Sequence, residues 1–143
     1  GYQYDVMIYS SYDPAKPGWA ASGNWDMVNY IVNQRRQGAY DGFGGFDGHT
    51  WQANLNKNAF QNAVWFFIGV VATPPPGSAI VGVPDYDPSG TDLYNTVISD
   101  ALANGENYIP GPGEYYALVL FDHDRAQTNG EQRFQMNIIE VDP

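Results

Sequence analysis

Asn58-Ala59-Phe60-Gln61-Asn62-Ala63-Val64-Trp65-Phe66-Phe67-Ile68-Gly69 is the most apolar helix-patterned stretch of this chain. Phe60, Ala63, Val64 and Phe67 fall at i, i+3, i+4 and i+7, so they share one helical face. Trp65, Phe66 and Ile68 make most of the remaining circumference apolar, which predicts a central helix covered on several sides. Gly69 follows the last periodic residue, where a left-handed cap belongs. Gln61 and Asn62 interrupt the run, and it is too short to span a bilayer. Gln61 is the odd member, an amide that needs partners if it is buried.

Upstream, Tyr2, Tyr4, Val6, Ile8 and Ser10 alternate with Gln3, Asp5, Met7 and Tyr9, which reads as a half-buried strand. Two prolines and a glycine make a loop of Tyr12 to Gly18. A helix starts near Ser22 to Asn24, carries Asp26 in its first turn, and ends at Arg35 and Arg36. Those charges suit the two ends of the helix dipole. Trp25, Val28 and Val32 form its core stripe, with Ile31 flanking. Gln37 to Asn58 reads as a glycine-rich, aromatic loop. It is either a binding loop or a surface excursion held down by Tyr40, Phe43, Phe46 and Trp51.

Downstream, Pro74-Pro75-Pro76 imposes extended geometry. A third helix runs from about Asp92 to Ala103, with Leu93, Val97, Ile98, Ala101 and Leu102 as its buried face and Asn104-Gly105 as its stop. Tyr115 to Phe121 and Arg133 to Val141 read as strands joined across Asn129-Gly130, a turn signal. Helices between terminal strands, closing on a hairpin, give a single α+β domain over residues 1–143: a β-sandwich or antiparallel sheet layer packed with a small three-helix layer.

Composition bounds the function. Of 143 residues, 43% are hydrophobic and 15% charged, a globular balance. Sixteen acids against six bases give −10, which argues against nucleic acid and anionic membranes as partners, since both need a basic face. Cysteine is absent, which removes disulfides, thiolate metal sites and cysteine nucleophiles from these residues. Sixteen glycines, ten prolines and eleven tyrosines beside Lys16 and Lys57 point to an extracellular setting. The start at Gly1, inside an alternating strand, reads as a mature or trimmed chain.

Enzymatic signatures are thin. No Gly-x-Ser-x-Gly elbow occurs, and His49 and His123 both lie in predicted loops. The glycine run 42–48 lacks the lysine and the strand-turn-helix setting of a phosphate loop. Paired carboxylates are easily found in an acidic chain and discriminate poorly for glycosidase chemistry. A calcium site has better support: Asp122, Asp124, Asn129 and Glu131 bracket one predicted turn, and calcium takes hard oxygen ligands. A solvated acidic turn accounts for the same residues. Asp85, Asp87 and Asp92 form a weaker cluster. The tyrosines and tryptophans suit a glycan-binding groove by composition, although many hold core-periodic positions.

Three segments together, Asn24-Trp-Asp-Met-Val-Asn-Tyr-Ile-Val-Asn33, Phe60-Gln-Asn-Ala-Val-Trp65 and Asp100-Ala-Leu-Ala-Asn-Gly-Glu-Asn-Tyr-Ile-Pro-Gly-Pro-Gly-Glu114, resemble the thioester (TQxA-type) domains of microbial surface adhesins. Tyr4 to Pro14 and Ile138 to Val141 fit the same pattern. In that family a cysteine near the N-terminus attacks a glutamine amide, expels ammonia and leaves a thioester that acylates a target surface. By position the glutamine is Gln61, with Phe60 where the family has threonine. The family's cysteine falls before or near residue 1, and this chain has none. The resemblance thus implies the fold and a cell-surface setting, and leaves Gln61 an ordinary amide, expected to hydrogen-bond at its helix start.

The expected function is a non-enzymatic extracellular surface or matrix protein with a structural or adhesive role, self-associating through strand edges as a filament subunit. Calcium-dependent binding of surface glycans is the alternative, contacts with surface proteins a further option, and a hydrolase using loop carboxylates the third.

Overall fold

A computed structural model describes residues 6–16, 23–46, 51–69, 93–122 and 134–140. Strand β1 (Val6–Ser10) is followed by α1 (Trp25–Arg36), α2 (Trp51–Phe67), α3 (Leu93–Asn104), β2 (Tyr115–Asp122) and β3 (Phe134–Glu140). The strands form one antiparallel sheet in the order β1-β2-β3. The expected mixture of helices and an antiparallel sheet is present. Among the described residues there is one sheet, and the second sheet of a sandwich is not among them.

The helix at the centre is α1. It packs on β2, α2 and α3, whereas the main partners of α2 are α3 and α1. The expectation that Asn58–Gly69 is enclosed on several sides is therefore corrected. Phe60, Ala63, Val64, Phe67 and Ile68 are buried, but Gln61 is exposed and Trp65 keeps 39% of its surface in solvent. Apolar content fixed one face of this helix, while contact with the sheet went to α1. There Trp25, Val28, Ile31 and Val32 are all buried, as their periodicity requires.

One boundary also differs from expectation. Helix α2 begins at Trp51, inside the stretch read as loop. The segment from 52 to 58 is rich in asparagine, a poor helix former by local propensity. Its buried Asn56 nevertheless continues the face of Phe60 one turn earlier, and donates to the carbonyls of Phe43 (2.9 Å) and Gly45 (2.8 Å). Of the aromatic residues named for a surface excursion, Tyr40 is buried, and Phe43 and Phe46 pack against the core around a 3-10 turn at Asp41–Phe43, while Trp51 belongs to α2.

In α3, Leu102 is 57% exposed rather than core-facing, and Tyr94 is buried in its place. At about 100° per residue, Leu93, Val97, Ala101 and Tyr94 fall within a ~100° arc, while Leu102 lies about 180° from Leu93.

Gly69 adopts φ +77 and closes α2 as a left-handed cap. Gly105, after α3, is required for another reason. A Cβ there would stand 2.7 Å from the Ala101 carbonyl oxygen and 3.2 Å from the Met27 Cα, so only glycine lets α3 end against α1.

Candidate functional site

The candidate site is built from a buried amide ladder on α1 and the strand β1 that ends beside it. Asn29 and Asn33 lie one turn apart and both are buried, at the side of the α1 core stripe that meets β2. The Asn29 Oδ1 accepts the Ala117 N–H at 2.8 Å, and its Nδ2 donates to Ser11 Oγ (3.1 Å) and to the Tyr12 hydroxyl (3.0 Å). The Asn33 Oδ1 accepts the Tyr115 N–H at 2.8 Å, and its Nδ2 donates to the Tyr115 carbonyl at 2.7 Å and the Asn29 carbonyl at 2.9 Å. Asn33 thus satisfies both backbone groups of Tyr115, as a neighbouring strand would.

This ladder divides one edge of β2. Residues 118 to 122 pair with β1, in a register running from Val6 opposite Asp122 to Ser10 opposite Leu118. The Ser11 N–H then donates to the Ala117 carbonyl at 3.0 Å, and beyond it the two asparagines take over. The chain leaves the sheet where the Asp13 N–H donates back to the Ser10 carbonyl at 3.0 Å. The Tyr12 hydroxyl donates to the Tyr108 carbonyl at 2.9 Å and fixes the departing loop to the α3–β2 connection.

Among the described residues strand β1 is an edge. Its inner side is taken by β2, and no strand lies on its outer side among the described residues. Because Ser11 bonds inward, alternation turns the N–H and C=O of Ile8 outward. Ile8 is 63% exposed and Met7 46% exposed. Tyr9, opposite the buried Val119, packs on the core and anchors the strand. No charged residue occurs from Val6 to Ser10, so the edge lacks the lysines that usually block strand addition.

A second polar cluster braces the helices. Asp100 on α3 accepts from the Tyr40 hydroxyl (2.8 Å), the Tyr30 hydroxyl (3.1 Å) and Asn104 Nδ2 (2.9 Å). Burial first, then the Asp100 carboxylate, pushes the Tyr40 phenol far above its ordinary value; the same causes act in the same direction on Tyr30. The Arg35 guanidinium lies 4.4 Å from the Phe46 ring centroid and 4.9 Å from that of Phe60, and Arg36 lies 4.4 Å over Tyr115. Asp26 accepts from the Asn107 N–H at 2.8 Å, where Asn107 takes φ +60. The terminal charges of α1 expected from the sequence thus have neighbours of their own in the fold.

The sequence-derived site residues fall apart from this region. Gln61 sits past the middle of α2, on its exposed side with Lys57, Asn58 and Trp65, so hydrogen bonding at a helix start is not its role. Its neighbour Phe60 is buried against Tyr40 and Phe46. Of the calcium candidates, Asp122 ends β2, and Asp124, Asn129 and Glu131 lie outside the described residues, as do Asp85, Asp87, Asp92, His49 and His123. Among the described residues no group of three or more His, Asp or Glu side chains gathers to hold a metal ion. None of their helices is long and apolar enough to cross a membrane. Comparison with family models, curated proteins and solved structures finds no match to this chain.

Proposed function

We propose that this chain is a non-enzymatic structural or adhesive domain of an extracellular surface or matrix, and that it associates with copies of itself by strand addition at β1. The observation that carries the reading is the open, uncharged β1 edge with Met7 and Ile8 in solvent. An edge strand offers alternating donors and acceptors to any extended partner. Among the described residues the opposite edge of the same sheet is β3, so β1 of one copy joins β3 of the next head to tail, and the series builds a filament where the rotation between copies does not close a ring. The amide ladder supports this polarity, because it occupies the stretch of β2 that β1 leaves uncovered. The outward face of Ile8 also leaves room for the second layer of a sandwich. The resemblance to thioester domains supports the surface setting, and residues 1–143 hold no cysteine to pair with Gln61.

Sedimentation velocity and electron microscopy over a concentration series test the reading. Concentration-dependent growth with visible fibres is expected. A sharp monomer at every concentration defeats it.

Calcium-dependent glycan binding is the second reading, favoured by Trp65 in solvent beside Gln61 and Asn58 on one face of α2. An exposed indole flanked by amides suits a pyranose ring, which stacks by its C–H face and hydrogen-bonds by its hydroxyls. Glycan-array binding in calcium, abolished by Asp124→Ala, supports it. Array signal that persists with that variant and in chelator removes calcium from the reading.

A further inference from the structure

We infer that Met7 is an oxidation site through which peroxide controls the β1 edge. The assembly half of this inference rests on the strand-addition reading above; the modification half does not. Met7 lies within β1, opposite Phe121 in the register, with 46% of its surface in solvent. A thioether reacts according to its exposure, and Met27, half-buried on α1 and packed against the core, provides the contrast within the same chain.

The Tyr9 hydroxyl donates to Met7 Sδ at 3.4 Å. That bond engages one of the two sulfur lone pairs and leaves the other for reaction. In the step, the free lone pair attacks one oxygen of hydrogen peroxide. The S–O bond forms as the O–O bond breaks, and the departing hydroxide takes up the remaining proton as water. Sulfur is oxidised by two electrons and the peroxide reduced by two. The new sulfoxide oxygen is a stronger acceptor than the thioether, and the Tyr9 hydroxyl already stands beside it. The product is therefore held in place at the strand edge.

The consequence follows from polarity. Strand addition at β1 brings a second strand alongside Met7 and withdraws its side chain from water. A sulfoxide there must give up hydration, so the oxidised edge pairs more weakly than the apolar one. Met7 and Ile8 then have separate parts, Ile8 presenting backbone groups outward and Met7 setting the polarity of the rim.

Dilute hydrogen peroxide, followed by peptide mapping and sedimentation velocity, tests both halves. Met7 sulfoxide is expected to accumulate severalfold faster than Met27 sulfoxide, and the oxidised protein to shift toward monomer. Met7→Leu should assemble like the parent and ignore peroxide, and Met7→Gln should assemble poorly without it. Oxidation of Met7 no faster than Met27 overturns the site. Complete Met7 oxidation with unchanged assembly overturns the control. A parent protein that is monomeric before peroxide overturns the control together with strand addition, while the mapped rates still decide the site.

Discussion

Asn29 makes three side-chain hydrogen bonds, two of them to groups that end β1 and one to the β2 backbone. Removing the amide strands the Ala117 N–H in a fully buried position, and a buried donor without a partner costs about 1–3 kcal/mol. Asn29→Ala is therefore expected to destabilise the fold by about 2–4 kcal/mol in urea unfolding, since Ser11 and Tyr12 lose a donor as well. Asn29→Asp keeps the acceptor and loses both donors, so an intermediate loss is expected. A change below about 0.5 kcal/mol for Asn29→Ala, the range of ordinary surface substitutions, would rule out the ladder as a structural joint. The helical pattern gave no sign of this role. Asparagines at i and i+4 on an apolar helix read as its polar margin, and only the position of β2 turns that margin inward.

At the scale of elements, Tyr30 in the middle of α1 and Tyr40 in the turn after it are joined to α3 through one carboxylate, Asp100. Burial and Asp100 raise the Tyr40 phenol above its ordinary value of 10.0, so the folded chain keeps a proton that the unfolded chain releases. Where the native state binds more protons, stability falls as pH rises. The contribution is complete below pH 10.0 and is lost progressively above it. Tyr12, Tyr30 and Tyr108 are raised as well and act with the same sign. Unfolding midpoints measured from neutral to strongly alkaline pH should decline above about 10. Tyr40→Phe should flatten part of that decline and lower neutral-pH stability by about 1.5–3 kcal/mol, the scale of a hydrogen bond to a charged group. An alkaline decline identical in parent and variant would assign the effect to the other phenols. The extents of α1 and α3 were legible from periodicity, although Asn24, expected to cap α1, makes no side-chain cap hydrogen bond. The start of α2 was not, because Asn56 earns its place through the carbonyls of a distant loop.

For the whole molecule, the strand-edge reading joins backbone geometry to net charge. Copies carrying −10 repel one another, and salt screens that repulsion over about 8–10 Å at physiological strength. Assembly should accordingly strengthen with moderate salt, and Ile8→Lys should abolish it by placing a charge on the rim without disturbing the core. The element types, the antiparallel β2–β3 pairing, the α1 core stripe and the Gly69 cap were all readable from the residues alone. Each of these follows from local periodicity or from a conformation that a single residue must adopt. The tertiary structure decided what depends on neighbours remote in the chain. It made α1 rather than α2 the helix against the sheet, turned Gln61 and Leu102 to solvent, buried Asn29 and Asn33 as substitutes for a strand, and left β1 at the edge of the described sheet. Periodicity gives a helix its apolar arc, whereas contacts between elements determine which part of that arc is covered and which polar groups at its margin lose water.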